Sequence, residues 1–202
     1  MDRITPDGHK PHQELELDVT RYLEENGYLV DSAPYHEKML KPIVHRLENI
    51  YTPTALYLRG RADRIAVHIH RDTVFEWEAK THGTSQWHNM AIEALPLARH
   101  IHKAEFDVKT LYCYRDPTRG YEIGFWTNNI PSIWKVVMPT RRWPEELIHW
   151  YEEQISIWYP GIQIQRIRGT NKGSNDPFVL IKESIVKVLP HWKKLIEETE
   201  DI

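Results

Sequence analysis

Hydrophobic positions near the start of the chain first repeat with the spacing of a helix. Between Pro11 and Asn26, apolar residues recur every three or four positions, which predicts an amphipathic helix. The apolar residues are Leu15, Val19, Tyr22 and Leu23. Gly27 suits the left-handed conformation that ends many helices, and a short strand is expected at Tyr28 to Val30.

Between Leu58 and Thr81 the pattern changes to the alternation of apolar and polar residues that is typical of strands. Apolar residues there alternate with polar or small ones, as they do in strands with one buried face. The alternating residues are Ile65, Val67 and Ile69, followed by Phe75, Trp77 and Ala79. The polar stretch from His70 to Thr73 predicts a hairpin turn, with Arg71 and Asp72 as its two-residue loop.

The middle of the chain predicts a second helix and two more strands. Thr84 or Ser85 can cap a helix that runs to about Lys103, and Pro96 is expected to kink it. Strands are expected at Val108 to Tyr114 and at Tyr121 to Thr127, because a proline- and glycine-containing turn separates two apolar runs. Upstream, a short helix is expected around Pro42 to Asn49.

The last third predicts a mainly helical region. A tryptophan-rich helix is expected from Pro144 to about Tyr159, and a strand from Ile162 to Ile167. A loop at 169–176 then precedes a final helix from Pro177 to about Glu198.

This order of elements predicts an α/β fold in one domain. We expect a central mixed sheet of about five strands flanked by helices, because helical and strand patterns alternate along the chain. The single domain covers 1–202, with a core at about 12–130 and a C-terminal helical elaboration at about 140–202.

Composition limits the classes of protein without choosing one. Hydrophobic residues make up 41% and charged residues 27%, as in ordinary globular proteins. There is no apolar run long enough to span a bilayer and no apolar signal core, which predicts a cytoplasmic protein without a membrane segment. Cys113 is the single cysteine, so an internal disulfide framework is excluded, and we expect this thiol to be buried. The net charge of −3 argues against unspecific coating of nucleic acid.

Three charged residues of the hairpin carry the candidate chemistry. A two-residue turn pairs Asp63 with Lys80 and Ile65 with Glu78, so Asp63, Glu78 and Lys80 share one face. Two carboxylates suit a hard divalent cation, and an ammonium beside them can orient an attacking water. Exposed strand charges are common without any function, but Asp63 shares its face with an apolar stripe, which favours the metal-site interpretation.

The motif Asp63, fourteen intervening residues and Glu78-Ala79-Lys80 resembles the core signature of the PD-(D/E)XK nuclease superfamily. The helix followed by Gly27-Tyr28-Leu29-Val30 is similar to the corresponding segment of archaeal Holliday junction resolvases and related restriction-type enzymes. The resemblance covers roughly 12–114. It implies a restriction-endonuclease-like fold in which the acid and E-x-K lie on neighbouring strands of a mixed sheet, preceded by a helix that often supplies another acid. The chain departs from the pattern before the acid, where Gly60-Arg61-Ala62 contains no proline.

The resemblance also implies roles for individual residues. Asp63, Glu78 and the backbone carbonyl of Ala79 would bind Mg²⁺ or Mn²⁺, and Lys80 would position the nucleophile. Glu16 would support the ion from the helix.

The choice of the helical acid and the role of Glu76 both leave alternatives open. Glu16 lies along the buried stripe of the helix, whereas Glu14 lies on the solvent-exposed face. We therefore prefer Glu16 as the acid that the helix supplies. Glu76 shares the face of Glu78 and is either an extra ligand or a surface acid. One metal ion or two would fit.

Residues that would contact nucleic acid surround the predicted site. Arg59, Arg61 and Arg64 could meet phosphates. Gln86 either contacts substrate or assists the lysine, as the resemblance implies, or is an ordinary residue in the first turn of the predicted helix. The twelve histidines have no recognised ligand spacing, so we interpret them as surface or phosphate-contact residues. Four tryptophans of the C-terminal half are expected in core or dimer packing rather than as stacking platforms: Trp143, Trp150, Trp158 and Trp192.

The sequence therefore predicts a Mg²⁺-dependent endonuclease that hydrolyses phosphodiester bonds of DNA, with a preference for junctions or other branched structures. One alternative is a catalytically inactive nucleic-acid-binding or assembly module of the same fold. A second is an unrelated α/β protein that binds a protein partner through its tryptophan-rich half. A homodimer is one candidate assembly, because cutting two strands needs two sites.

Overall fold

The computed structural model describes residues 9–32, 62–81, 89–140, 143–168 and 176–201. The short helix predicted around Pro42 to Asn49 lies outside these residues. The helices are α1 (His9–Glu25), α2 (Ala94–Ala104), α3 (Glu145–Trp158), α4 (Glu183–Val186), α5 (Trp192–Glu197) and a terminal 3-10 helix (Glu198–Asp201). The strands are β1 (Tyr28–Ser32), β2 (Arg64–His68), β3 (Val74–Thr81), β4 (Met90–Glu93), β5 (Thr110–Asp116), β6 (Tyr121–Trp126), β7 (Ile133–Pro139), β8 (Ile164–Ile167) and β9 (Phe178–Ile181).

The first sheet has five strands in the order β1-β2-β3-β5-β6. β1, β2 and β3 are antiparallel neighbours, β3 and β5 are parallel, and β6 returns antiparallel to β5. α1 and α5 bury their apolar residues against one face, where Leu15, Trp77 and Trp192 belong to the same core cluster. The predicted mixed α/β sheet of about five strands, flanked by helices, is confirmed. Cys113 of β5 is buried, as predicted.

A second sheet, which the sequence did not predict, covers the other face. It has four strands in the order β4-β9-β7-β8. Its apolar residues pack with α2, α3 and the aromatic side chains Tyr112 and Phe125 of the first sheet in one core cluster. The charged residues of β3 point to this face, because they alternate with Trp77 and Ala79 of the opposite core. Among the described helices, none combines the length and the apolar character that crossing a bilayer requires.

The prediction of one helix from Thr84 or Ser85 to Lys103, kinked at Pro96, is wrong for the first half of that segment. Met90 and Ile92 are buried and alternate with exposed Ala91 in β4, which pairs with β9. α2 begins only at Ala94, so Pro96 lies in its first turn, where a missing N–H costs no helical hydrogen bond.

The final helix predicted from Pro177 to Glu198 is also wrong. Phe178–Ile181 forms β9 between β4 and β7, and two short helices follow on either side of Pro190. A proline inside a helix removes a hydrogen bond and clashes with the preceding turn, which explains the break. The C-terminal elaboration is therefore a mixture of strands and helices rather than mainly helical, and its predicted strand from Ile162 to Ile167 is confirmed as β8.

Candidate active site

The hairpin that carries the motif has a longer turn than predicted. Ile65 lies opposite Glu76, not opposite Glu78, so the predicted register is wrong by two residues. The His68 N–H donates to the Thr73 carbonyl at 2.9 Å, and the His70 N–H donates to Nδ1 of His68 at 3.1 Å. This side-chain bond stabilises a wider loop. An even shift keeps every side chain on its face, so Asp63 and Glu78 still meet.

Two hydrogen bonds join Asp63 to the Glu78-Ala79 segment, and the carboxylates of Asp63 and Glu78 each accept one of them. The Asp63 backbone N–H donates to Oε2 of Glu78 at 3.0 Å, and the Ala79 backbone N–H donates to Oδ2 of Asp63 at 3.0 Å. Within a strand, the N–H and C=O of one residue point to the same neighbour. The Ala79 carbonyl therefore lies on the side of Asp63, and the structure gathers two carboxylates and one carbonyl at this edge.

The environment of Glu78 disfavours its charge when no cation is present. Burial raises the pKa of Glu78 to about 7, and the negative charge of Asp63 adds to that rise. The nearby Lys80 ammonium opposes both effects. A divalent ion between the two carboxylates would favour their ionised forms.

Lys80 lies between two carboxylates from different sheets. Its Nζ is 2.9 Å from Oε1 of Glu78 and 3.0 Å from Oε2 of Glu93. Burial lowers the pKa of Lys80, but the two carboxylates outweigh it and raise that pKa above its ordinary value. For Glu93, burial raises the pKa and the ion pair with Lys80 lowers it more, so its pKa falls. Lys80 therefore stays protonated and lies beside the acids.

Helix α1 contributes two further donors. One ligand atom from each of His12, Glu16 and Asp63 lies within 4.8 Å of the other two. His12 and Glu16 are one helical turn apart, with Nε2 of His12 3.6 Å from Oε1 of Glu16. Between the two rival glutamates, Glu16 lies beside Asp63 and Glu14 is exposed to solvent.

This donor set fits a divalent metal ion. Carboxylate and carbonyl oxygens suit Mg²⁺ and Mn²⁺, and an imidazole nitrogen is better tolerated by Mn²⁺ than by Mg²⁺. Asp63 belongs both to the pair with Glu78 and to the group on α1, so one ion or two could use its carboxylate. The donors present therefore match the chemistry that the motif implies.

The other predicted site residues do not join the group around Asp63 and Glu78, or lie outside the described residues. Arg64 points to the α1 face, where its guanidinium lies 3.8 Å from Oε2 of Glu16. Arg59, Arg61 and Gln86 lie outside the described residues. Glu76, considered as an extra ligand or a surface acid, is neither, because it is buried in an ion pair with Lys103.

The histidine and tryptophan predictions have mixed outcomes. His68 and His100 are buried, so the surface interpretation is wrong for both. His100 shares a 2.8 Å hydrogen bond with the Tyr112 hydroxyl. Trp192 is a core residue, as expected, whereas Trp150 is 46% exposed.

Sequence reasoning missed His12 and Glu93. The spacing of His12 and Glu16 on one helical face was a usable signal, because residues four apart are neighbours on a helix. Glu93 gave none, since it lies in a segment that the pattern assigned to a continuous helix.

No family model and no curated protein matches this chain. Among solved structures, it is similar to Hjc, a Holliday junction resolvase from the archaeal hyperthermophile Archaeoglobus fulgidus. The two share 10% sequence identity with a TM-score of 0.45, over 92% of this chain and 94% of that chain. A likeness of this degree decides neither the activity nor the substrate of this chain.

Proposed function

We propose that this chain is a divalent-metal-dependent nuclease that hydrolyses phosphodiester bonds of DNA. The observation that carries the proposal is the convergence of Asp63, Glu78 and Lys80 where β2 begins and β3 ends, with Glu16 and His12 of α1 beside Asp63. Carboxylates and a fixed ammonium in this arrangement suit an in-line attack of water on a phosphate. The resemblance to PD-(D/E)XK nucleases supports the same reaction.

Each side chain has a distinct role in this mechanism. Asp63, Glu78 and the Ala79 carbonyl would hold the ion, with Glu16 and His12 as further donors. When bound, a divalent cation lowers the pKa of water and offsets charge on the phosphate. The Lys80 ammonium donates a hydrogen bond to the attacking water and stabilises the negative charge that develops on the phosphate oxygens.

DNA structure-selectivity is the finer part of the proposal. The resolvase-like segment from Gly27 to Val30 motivates junctions and branches as preferred substrates. A labelled panel of single-stranded, duplex, nicked, flapped and four-way-junction DNA tests this preference directly. Each substrate is incubated with Mg²⁺, Mn²⁺ or EDTA.

Variants connect cleavage to the site. We expect metal-dependent cutting by the wild type and a loss of about 10²–10³-fold in Lys80→Ala, because Lys80 stabilises developing charge. Glu78→Ala is expected to lose both cutting and metal binding. Glu16→Ala is compared with Glu14→Ala, which changes an exposed acid two positions away on the same helix and should keep full activity.

Two outcomes would overturn the proposal. Cutting that persists in both Glu78→Ala and Lys80→Ala would come from another source. DNA binding without cutting under any metal condition would instead identify a nucleic-acid-binding module of the same fold.

A further inference from the structure

Glu93 lies where the two sheets meet. It is the last residue of β4, pairs with Phe178 of β9 and directly precedes α2. Lys80, by contrast, belongs to β3 of the first sheet. The ion pair between them, at 3.0 Å, therefore joins the second sheet to the candidate site.

The Glu93 carboxylate does not cap the helix that it precedes. A short polar side chain at the N-cap, such as that of Ser, Thr, Asp or Asn, commonly accepts a hydrogen bond from a backbone N–H in the first turn, and glutamate is not among the preferred caps. Glu93 occupies that position before α2 and makes no such side-chain bond. Its carboxylate is instead directed to Lys80, so the local capping interaction is absent and the contact across the sheets is present.

The backbone next to Glu93 is fixed from two directions. The Ala94 N–H donates to the Pro177 carbonyl at 2.9 Å, and the Tyr159 hydroxyl donates to the Ala94 carbonyl at 2.6 Å. Ala94 is fully buried. The second sheet and the end of α3 therefore hold the base of the Glu93 side chain in place.

A second carboxylate matters for Lys80 because Glu78 would have to bind the metal ion and pair with the ammonium at the same time. When Glu78 faces a divalent ion, its charge is partly neutralised and attracts the ammonium less, while the ion itself repels the ammonium. A lysine side chain has four flexible carbons and would move away from the acids. Glu93 belongs to neither group of donors around Asp63, so its attraction for Lys80 does not depend on Glu78.

We propose that Glu93 is a positioning residue that keeps the Lys80 ammonium beside the metal-binding carboxylates. This inference rests on the proposed nuclease function. It also gives the second sheet a role, because β4 and its neighbours deliver this carboxylate to the site.

The test compares Glu93→Gln and Glu93→Asp with Glu105→Gln, which changes an exposed acid just past the other end of α2. We expect Glu93→Gln to lower kcat by about 10²-fold, because a displacement of about 1 Å can cost that much. KM and the dissociation constant for Mn²⁺ should change little. Glu93→Asp keeps the charge and should recover part of kcat, and Glu105→Gln should match the wild type.

A spectroscopic readout is independent of cleavage. The side-chain ammonium of Lys80, labelled with ¹⁵N and assigned through Lys80→Arg, should give an NMR signal in the Mg²⁺-loaded wild type because its ion pairs with carboxylates hold it in place. That signal should be lost in Glu93→Gln and kept in Glu105→Gln.

The outcomes separate the two proposals. If the wild type cuts DNA and Lys80→Ala does not, full kcat in Glu93→Gln overturns the positioning role alone. A fall in activity explained entirely by weaker Mn²⁺ binding overturns it as well. If the wild type cuts no DNA, the nuclease proposal fails and the positioning role fails with it.

Discussion

Two carboxylate–lysine pairs lie on the same face of β3 and differ in how they are enclosed. In the inner pair, Nζ of Lys103 lies 2.9 and 2.7 Å from the two oxygens of Glu76, and the side chains are 2% and 4% exposed. In the outer pair, Lys80 and Glu78 are 2.9 Å apart and the lysine is 21% exposed. Both pairs join a strand acid to a lysine, yet only the outer pair opens to solvent.

The two pairs also differ in charge balance. The inner pair matches one acid with one lysine inside the core. In the outer pair, Lys80 contacts both Glu78 and Glu93, and Glu78 lies beside Asp63, so three carboxylates surround one ammonium. Burial of an acid therefore does not mark a functional site on this strand. An excess of partly buried carboxylates distinguishes the candidate site from the inner pair, and a cation from solution could balance that excess.

The largest effect is expected from breaking the inner pair. Lys103→Met leaves the Glu76 carboxylate buried without its partner, which should lower the free energy of unfolding by about 3–5 kcal/mol. Lys80→Met should cost less, and Mg²⁺ should restore part of that loss, since the ion replaces the missing positive charge. Urea unfolding with and without Mg²⁺ measures both variants.

The double variant Glu76→Met/Lys103→Met provides the control. Replacing a whole buried pair by apolar side chains of similar size is often neutral or stabilising. Most of the stability lost in Lys103→Met should therefore return. Equal losses in Lys103→Met and Lys80→Met, both insensitive to Mg²⁺, would contradict the distinction between the pairs.

A second prediction concerns the charge of Glu78 in metal-free protein. Because the folded-state pKa is about 7 against an ordinary 4.5, the fold disfavours the ionised form, and this cost grows as pH rises from 4.5 to 7. Glu78→Gln removes the cost and should stabilise the protein in EDTA at pH 8 by about 3 kcal/mol. The gain should vanish near pH 4.5.

Glu14→Gln is the matched control, since Glu14 is an exposed acid of α1. Urea unfolding of the two variants across this pH range gives the comparison. A Glu78→Gln variant that is less stable than the wild type at pH 8 in EDTA would show that the buried carboxylate stabilises the fold.

The smallest effect is expected at His12. Loss of a nitrogen donor should weaken Mn²⁺ binding by about tenfold and Mg²⁺ binding less, because imidazole suits Mn²⁺ better than Mg²⁺. Titration calorimetry of His12→Gln, with His102→Gln of α2 as the control, measures both dissociation constants. Equal weakening of the two metals would argue that His12 acts only through Glu16.

The grouping of Asp63, Glu78 and Lys80 on one face was predictable because alternation in strands has a period of two. The predicted register was wrong by two residues, and an even error returns each side chain to the same face. The different surroundings of Glu76 were not predictable. They come from Lys103 on α2. The local pattern of β3 does not reveal that this lysine lies beside Glu76 in the folded protein.

The second sheet escaped prediction for a related reason. β4 and β9 have four residues each, too short for a period of two to be distinguished from that of a helix. Only their pairing with each other, across more than eighty positions of sequence, makes them strands. Glu93 was missed with β4, because its place in the site depends on that pairing.

The contact between α1 and the C-terminal helices has a consequence for the protein during its synthesis. The Tyr22 hydroxyl donates to Glu197 at 2.6 Å, across 175 positions, and Trp192 completes the core between α1 and the first sheet. A ribosome releases α1 long before α5 exists. Until α5 emerges, the part of the first sheet that α5 covers and the adjoining Tyr22 side of α1 lack their apolar partner, which exposes the nascent chain to aggregation.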